Sequence, residues 1–417
     1  MNQTPRLSLF SGYGVELEYM IVDSSSLDVR PITDELMQAV AGEITGELER
    51  GPITWSNELV AHVVELKVSE PARDYPGMAE AFQSDVRVIN SHLAPLGARL
   101  MPGGMHPWMD PLRETKLWCH EYNEVYEAFD RIFGCQGHGW SNLQSVHLNL
   151  PFANDEEFGR LHAAVRLVLP ILPALTASSP VVDGRLTGML DNRLEVYRVN
   201  SRKIPSITGR VIPEPVFSES DYHAQIFTKL FADIAPHDPA GILQHEWLNA
   251  RGAIARFTRG AIEIRVMDVQ ECPLVDVSIC ATVSALLKAL VDGRFGTLAE
   301  QQAFAVPPLE AILLTSIRDA DEAQIADPAY LGLFGFPNAR GSVGDLWRYL
   351  CEALRSEGRL APQWDPVLDV LLSKGPLARR IQSALAPERS GAVDRQRLQS
   401  VYGQLCQCLE DGTLFHP

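Results

Sequence analysis

Two glutamates, Glu16 and Glu18, stand two positions apart in the stretch YGVELEY, whose other residues suit a buried strand. Side chains two apart in a strand project from the same face, which places these carboxylates about 6.6 Å apart. Like charges this close repel each other, and buried carboxylates need cations. A hard divalent ion such as Mg²⁺, which takes oxygen ligands, is the simplest source of positive charge. On an exposed strand face, the same spacing would be only solvated charge.

A second pair of carboxylates, Glu58 and Glu65, occurs in NELVAHVVELK. Seven residues is an odd separation, so the two cannot share a face of one regular strand. They converge if the chain turns near Ala61 and His62, or if Glu58 lies in the loop that precedes the strand.

Two further strand-like stretches carry polar side chains on one face and apolar side chains on the other. In SVHLNL, the polar face holds Ser145, His147 and Asn149, and the histidine is either structural or a metal ligand. In AIEIRVMD, Glu263 and Arg265 share a face. They form an ion pair, or they supply a metal ligand beside a positive group for a carboxylate or phosphate.

Together these stretches place five acidic residues and a histidine on four strand-like segments with apolar opposite faces. One concave sheet would gather them into one site. The sequence has no phosphate-binding loop, no dinucleotide fingerprint, no H-E-x-x-H and no G-x-S-x-G motif. A nucleotide would therefore be held by metal ions rather than by a glycine-rich loop.

The surrounding pattern predicts the elements that position these residues. Alternating or apolar runs predict strands over 13–23, within 52–68, over 98–104 and over 141–152, and a hairpin whose loop is the three residues 258–260. Helical spacing predicts helices over 78–97, 122–133, 155–178 and 273–292. From 301 to 417 the pattern is almost entirely helical, which predicts a helical C-terminal region after a catalytic domain of residues 1–300.

Composition narrows the class of protein. The 417 residues include 36 basic and 53 acidic side chains, a formal charge of −17 that argues against a nucleic acid or an anionic membrane as partner. The seven cysteines are scattered without a C-x-x-C pair, which favours a reducing compartment. No signal-peptide pattern and no uninterrupted apolar run of membrane-spanning length is visible, so we expect a cytoplasmic protein.

The chain resembles the glutamate–cysteine ligase family, within the glutamine synthetase-type carboxylate–amine ligases. The resemblance rests on YGVELEYMIVD, NELVAHVVELK, GGMHPW, SVHLNLPF, LEVYR with SITG, and ARFTRGAIEIRVMD, which follow the family's order over roughly residues 12 to 292. It implies an α+β fold in which a curved, mainly antiparallel sheet flanked by helices forms a funnel-like active site.

The resemblance also implies roles for particular residues. One Mg²⁺ or Mn²⁺ would be held by Glu18, Glu58 and Glu65, and a second by Glu16, His147 and Glu263. Glu263 and Arg265 would be catalytic, with Arg265 stabilising charge on the transferred γ-phosphoryl group of ATP. Substrate binding would involve Arg198, Asn149, Arg251 and Arg259.

The implied activity is an ATP-dependent ligation of a carboxylate, expected to be the glutamate γ-carboxyl, to an amine, expected to be cysteine, through an acyl phosphate. Asn149 stands where many relatives have a second histidine, and no cysteine-recognition signature is present, so the amine stays open. A metal-dependent amide hydrolase, a ligase for another amine and a catalytically silent relative are the alternatives. The expected partners are small molecules, with no nucleic acid and no membrane, and a homo-oligomer is left open.

Overall fold

An eight-stranded sheet, in which every pair of neighbouring strands is antiparallel, organises the protein, and helices cover it. The structure is a computed structural model, and it describes residues 6–385 and 390–417. The strand order is β2-β3-β4-β1-β6-β10-β9, and β5 pairs with the far end of β1. The predicted α+β class with a mainly antiparallel sheet is confirmed, whereas the funnel-like shape stays a prediction.

The strands of this sheet are β1 (Gly14–Asp23), β2 (Glu47–Arg50), β3 (Ile53–Asn57), β4 (Val63–Val68), β5 (Ala98–Met101), β6 (Ser145–Pro151), β9 (Ala253–Arg256) and β10 (Ala261–Asp268). Shorter strands form two small sheets: β7 (Val181–Val182), β8 (Arg185–Thr187) and β13 (Ser390–Ala392) in one, and β11 (Gln324–Ile325) and β12 (Gly341–Ser342) in the other.

The helices before residue 300 are α1 (Thr33–Ala41), α2 (Met78–Leu93), α3 (Pro111–Glu114), α4 (Asn123–Phe133), α5 (His138–Ser141), α6 (Asp155–Val168), α7 (Pro173–Thr176), α8 (Asn192–Asn200), α9 (Glu219–Tyr222), α10 (Thr228–Ile234), α11 (Pro273–Val291) and α12, which begins at 298 (Leu298–Gln302). The later helices are α13 (Val306–Asp319), α14 (Pro328–Leu333), α15 (Val343–Ser356), α16 (Asp365–Lys374), α17 (Leu377–Leu385) and α18 (Arg395–Asp411).

The apolar face of the sheet lies on a core built around α2 and α11. In β1, the residues that alternate with the glutamates, Val15, Leu17 and Tyr19, are fully buried in this core. The same alternation buries Val146 and Leu148 of β6. Because the side-chain period of a strand is two, burying these residues fixes the polar residues on the opposite face.

Helix α11 is apolar on all sides. It is the single helix of residues 6–385 and 390–417 that is long and apolar enough to cross a membrane, by length and composition alone. In the structure, 83% of its apolar window is buried inside the protein, where it packs against α2 and α6. A helix that is apolar all round is typical of a central core helix as well as of a membrane span.

The C-terminal helices share the main core with the sheet. Trp347 and Leu350 of α15 and Leu368 of α16 belong to the same buried cluster as the apolar face of β1. After residue 301, the regular elements of the described residues are helices apart from the short strands β11, β12 and β13. The boundary near residue 300 stays a prediction.

The predicted hairpin is present, but the prediction of a three-residue loop is wrong. Arg256 and Ala261 form the last strand pair, so the loop comprises the four residues 257–260. Phe257 leaves the strand because its ring is buried against Phe152 and Phe158. Aromatic packing therefore outweighs one further ladder pair.

The prediction of one helix over 155–178 is also wrong in part. Helix α6 ends at Val168, a 3₁₀ turn covers Leu169–Ile171, and the short α7 follows. Pro170 and Pro173 explain the interruptions, because proline lacks the N–H that an α-helix needs and its ring clashes with the preceding turn.

Candidate metal and active site

Strand register places the acidic residues side by side on the face of the sheet opposite the apolar core. Across β1 and β4, Glu18 lies opposite Glu65 and Glu16 lies opposite Lys67. Across β1 and β6, Glu16 lies opposite His147. Directly opposed residues have Cβ atoms about 4.5–5.5 Å apart, so the functional groups of these three strands form one cluster.

Two groups of potential metal ligands result. Glu18, Glu58 and Glu65 form one group, and Glu16, Glu65 and His147 form the other; within each, the ligand atoms lie within 4.8 Å of one another. Carboxylate oxygens with one imidazole nitrogen suit Mg²⁺ or Mn²⁺. The residues present therefore fit such ions, and Glu65 is common to both groups.

Glu58 reaches the cluster from the loop between β3 and β4. Strand β3 ends at Asn57, and the chain turns through Ala61 and His62 before β4 begins at Val63. The sequence left this arrangement open as one of two ways in which Glu58 and Glu65 could converge. The three residues expected to hold the first ion are thus neighbours, and their binding of metal stays a prediction.

The residues expected to hold a second ion are only partly brought together. Glu16 and His147 are neighbours, but Glu65 rather than Glu263 completes their group among the described residues. Glu263 lies one strand further, on β10 opposite Asn149. Its carboxylate is bound by Arg256, whose Nη1 lies 3.0 Å from Oε2, and Arg265 Nε lies 3.7 Å from Oε1.

Hydrogen bonds fix the orientation of the carboxylates. The backbone N–H of Ser145 donates to Glu18 at 2.6 Å, and Ser56 Oγ donates to Glu65 at 2.7 Å. Glu16 Oε2 lies 2.9 Å from His147 Nδ1, and its Oε1 accepts from the amide of Asn149 at 3.0 Å. These partners hold oxygens in fixed positions, as the outer shell of a metal site does.

Burial and mutual repulsion divide the acids into two kinds. Burial and the charges of Glu18 and Glu65 raise the pKa of Glu58 well above its ordinary value. Burial and the charge of Glu16 raise the pKa of Glu65 to about 7. Burial also opposes ionisation of Glu16, but the hydrogen bond and charge of His147 outweigh it and lower its pKa to about 2. In the metal-free protein, Glu16 therefore ionises more readily than Glu58 and Glu65 do.

Arg265 is held by a buried network behind β10. A bulge between Ile264 and Met267 carries it, and its carbonyl oxygen accepts from Arg193 Nη2 at 2.9 Å. Arg193 also contacts Asp268 at 3.4 Å, and both are buried. Gly104 lies directly against this carboxylate, since a Cβ atom there would be 2.5 Å from Asp268 Cγ.

The four residues expected to bind substrate lie in different surroundings. Asn149 contacts Glu16 and lines a cleft, and Arg259 lines the same cleft from the exposed hairpin loop. Arg198 on α8 instead pairs with Glu195 at 2.6 Å. The Arg251 guanidinium is buried and donates twice to Glu214, at 2.6 and 2.7 Å. Substrate binding by these four residues stays a prediction.

The cleft begins at the edge of the acidic cluster. It has a volume of about 790 Å³ and is lined by residues that include Arg6, Gly14, Asn149, His223 and Phe257. Gly14 and Asn149 are paired across β1 and β6, immediately beside Glu16 and His147. A ligand with an anionic end and an aromatic end could therefore span the cluster and the cleft.

Three further residues were missed from the sequence. Lys67 lies near Glu65. Its spacing of two residues from Glu65 in one strand places both on the same face, and that spacing is visible in the sequence. Arg256 bonds Glu263 across the hairpin, a pairing that depends on the register. Tyr197 of α8 donates to the Ala250 carbonyl and is electrostatically coupled to Arg265, and no sequence signal places it there.

The sequence matches the family model described as glutamate–cysteine ligase family 2 over residues 13–307, the part of the chain that contains the whole acidic cluster. The chain belongs to the glutamate–cysteine ligase family 2. An uncharacterized protein of Archaeoglobus fulgidus is 34% identical over 341 residues, which are 80% of this chain and 91% of that protein.

Solved structures share the fold at low sequence identity. A bifunctional glutathione synthetase from Pasteurella multocida superposes with a TM-score of 0.63 at 14% identity, over 97% of this chain and 53% of its own. A glutamate–cysteine ligase from Francisella tularensis, solved in complex with AMP, gives a TM-score of 0.57 at 11% identity, over 95% and 88% of the two chains. This family 2 chain therefore has the fold of known ligases and spans about half of the bifunctional enzyme.

Proposed function

We propose that this family 2 protein is an ATP-dependent ligase that joins the γ-carboxylate of glutamate to an amine, with cysteine as the expected acceptor. The observation that carries the proposal is the pair of ligand groups sharing Glu65, beside Glu263 and Arg265 and open to the cleft. Membership of the family and the names of the structural neighbours support it.

The acidic cluster would hold two divalent ions. Glu18, Glu58 and Glu65 would bind one ion, and Glu16, His147 and Glu65 would bind the other. Glu263, on β10, would lie within reach of the nucleotide. When bound, such ions neutralise the charge of the ATP phosphates. Phosphoryl transfer needs positioning and charge stabilisation more than it needs a protein nucleophile.

The protein's own residues would orient the reactants. Arg265 would contact the γ-phosphoryl group, and Arg256 and Glu263 would hold the orientation of Arg265. The nucleoside would occupy the cleft beyond Gly14 and Asn149. The substrate carboxylate would attack the γ-phosphorus and release ADP, and the amine would then attack the acyl carbon and release phosphate.

A test measures ADP formation with ATP, Mg²⁺ and glutamate, adding one amino acid at a time. Hydroxylamine serves as a general acceptor, since it converts an acyl phosphate into a hydroxamate whatever the natural amine is. We expect one amino acid to stimulate ADP formation, hydroxamate to form with glutamate, and Glu263→Gln to lose both activities.

The matched control is Glu352→Gln, which removes an exposed carboxylate from α15 that does not line the cleft and should retain turnover. The proposal fails if neither hydroxylamine nor any amine stimulates ADP formation and Glu263→Gln behaves as wild type. Turnover of an amide without nucleotide would point instead to the hydrolase. A cytoplasmic location stays part of the proposal.

A further inference from the structure

Lys67 is a cation placed at the meeting point of the two ligand groups. It lies on β4, two residues beyond Glu65 on the same face, and opposite Glu16 across β1. Its Nζ is 3.5 Å from Glu65 Oε1, the carboxylate that both groups share. A metal ion bound by Glu65 would therefore lie close to a lysine ammonium.

Lys67 also has a second partner, further from the cluster. Its Nζ is 2.9 Å from Glu47 Oε2 on β2 and 3.2 Å from Ser56 Oγ. The Glu47 side chain is 62% exposed and that of Glu65 is 10% exposed. The ammonium thus lies between a buried carboxylate and a solvated one. A small rotation of the flexible lysine side chain would move the ammonium from one carboxylate to the other.

From this placement we propose that Lys67 is a resident counter-ion that competes with divalent metal for Glu65. In the metal-free protein it neutralises part of the cluster, and a bound divalent ion repels it toward Glu47. Metal alone then binds weakly, and it binds more tightly when it arrives with an anion, such as a polyphosphate, that accepts the ammonium. The metal part depends on the ligand groups, and the polyphosphate part rests on the proposed function.

The electrostatic argument separates this proposal from an ordinary surface ion pair. An exposed lysine–glutamate pair contributes little and is screened by salt. Salt screens buried or partly buried pairs much less than exposed ones, and the Glu65 carboxylate that lies 3.5 Å from Lys67 is buried. Competition at Glu65 should therefore persist at high salt.

The experiment measures Mn²⁺ binding at equilibrium, without nucleotide, from the free Mn²⁺ signal in electron paramagnetic resonance. We expect Lys67→Gln to bind Mn²⁺ about three- to tenfold more tightly than wild type, at both 0.1 M and 1 M salt. Lys67→Arg, which keeps the charge, should remain close to wild type. Unchanged or weaker binding by Lys67→Gln, or no Mn²⁺ binding by either protein, overturns the proposal.

Variants of β2 test whether Glu47 acts through Lys67. Glu47→Gln should weaken Mn²⁺ binding in the wild-type background and have no effect in the Lys67→Gln background. Glu49→Gln removes the same charge from the next exposed position on the same strand face, and it should have little effect in either background. An equal effect of Glu47→Gln in both backgrounds would show that only long-range charge is involved, and would overturn the proposal.

The polyphosphate arm repeats the titration with tripolyphosphate and with ATP. We expect either anion to increase Mn²⁺ affinity more in wild type than in Lys67→Gln, and an equal increase in both would overturn this part. These experiments measure binding and not turnover, so they test the Lys67 proposal even if the protein is not a ligase. Conversely, a ligase whose Lys67→Gln variant binds Mn²⁺ as wild type does would retain the function and lose the Lys67 inference.

Discussion

At the scale of single residues, Glu65 is the carboxylate on which both ligand groups depend. Glu65 lies on β4, opposite Glu18 of β1 and Ser56 of β3, and Ser56 Oγ donates a hydrogen bond to its carboxylate at 2.7 Å. Lys67 approaches the same oxygen from the side. Any change at this position therefore alters both candidate ion sites together, whereas a change at Glu58 or His147 alters only one.

Glu65→Gln should abolish Mn²⁺ binding at both groups and lower ADP formation by more than about hundredfold, because an amide neither carries the charge nor bridges two cations. His147→Gln should leave the binding of one ion, since the other group does not contain His147. A stoichiometry of bound Mn²⁺ checks both variants. Glu70→Gln, on the exposed turn after β4, is the matched control. Retention of two bound ions by Glu65→Gln would contradict the shared role.

At the scale of elements, alternation along the strands predicted much of the site. Glu16, Glu18 and His147 could be assigned to one face because the residues between them are apolar, and the structure buries those residues. Which strands are neighbours could not be deduced, since register depends on contacts between distant segments. For that reason Arg256 was missed, whereas the grouping of Glu263 with Glu16 came from the family resemblance.

Residues outside the strands could not be placed from the sequence either. Glu58 follows β3, and its position depends on the turn through Ala61 rather than on any periodicity. Tyr197 and Arg193 of α8 bond the carbonyls of Ala250 and Arg265, which are distant from them in sequence. Sequence patterns describe one element at a time, whereas these residues belong to the site through packing between elements.

The contact between Gly104 and Asp268, the last residue of β10, gives a prediction about how this strand is positioned. Gly104→Ala should reduce the free energy of unfolding by about 1–3 kcal/mol, because the added methyl would collide with the buried Asp268 carboxylate. It should also lower kcat, since Asp268 and Arg193 hold the strand that carries Arg265. Chemical denaturation and steady-state kinetics measure the two effects.

The control for that variant is Gly137→Ala, at a position with extended backbone and no atom within 4 Å of the added Cβ. It should match wild type in both measurements. If Gly104→Ala is as stable and as active as the control, the contact between Gly104 and Asp268 does not position Arg265.

At the scale of the whole molecule, buried neutral histidines connect stability to pH. Burial lowers the pKa of His162 to about 3, of His62 to about 3 and of His106 to about 4. In the unfolded chain the same groups titrate near about 6.5, so below that pH the unfolded state binds more protons. Their contribution to stability is complete above pH 6.5 and is lost as the pH falls toward 4.

We therefore expect each histidine to contribute a decrease in the free energy of unfolding from pH 7 to pH 4.5, by up to about 1.4 kcal/mol per pH unit. Glu58 and Glu65, whose pKa values are raised, contribute in the opposite direction. His162→Gln should reduce this slope whatever it does to the stability at pH 7. Denaturant titrations at several pH values measure the slope. His237→Gln, at an exposed position, is the control and should retain the wild-type slope. An unchanged slope in His162→Gln would contradict the argument.

Metal binding should also stabilise the whole fold through the central strand of its sheet. β1 pairs with β4, β5 and β6 and covers the main core, so repulsion between Glu16, Glu18 and Glu65 acts on the middle of the molecule. An ion that binds only the folded state adds about 2.7 kcal/mol at a hundredfold excess over its dissociation constant. Mg²⁺ should therefore raise the melting temperature above that measured in chelator at equal ionic strength.

Amide hydrogen exchange locates this effect. Chelator should speed exchange at residues 14–18 of β1, where the repulsion acts, and leave the buried centre of α11 unchanged. Glu65→Gln should show little response to Mg²⁺ in either measurement, because it removes the carboxylate that the two groups share. Identical melting temperatures and identical exchange in chelator and in Mg²⁺ would mean that the paired glutamates of β1 are not a metal site.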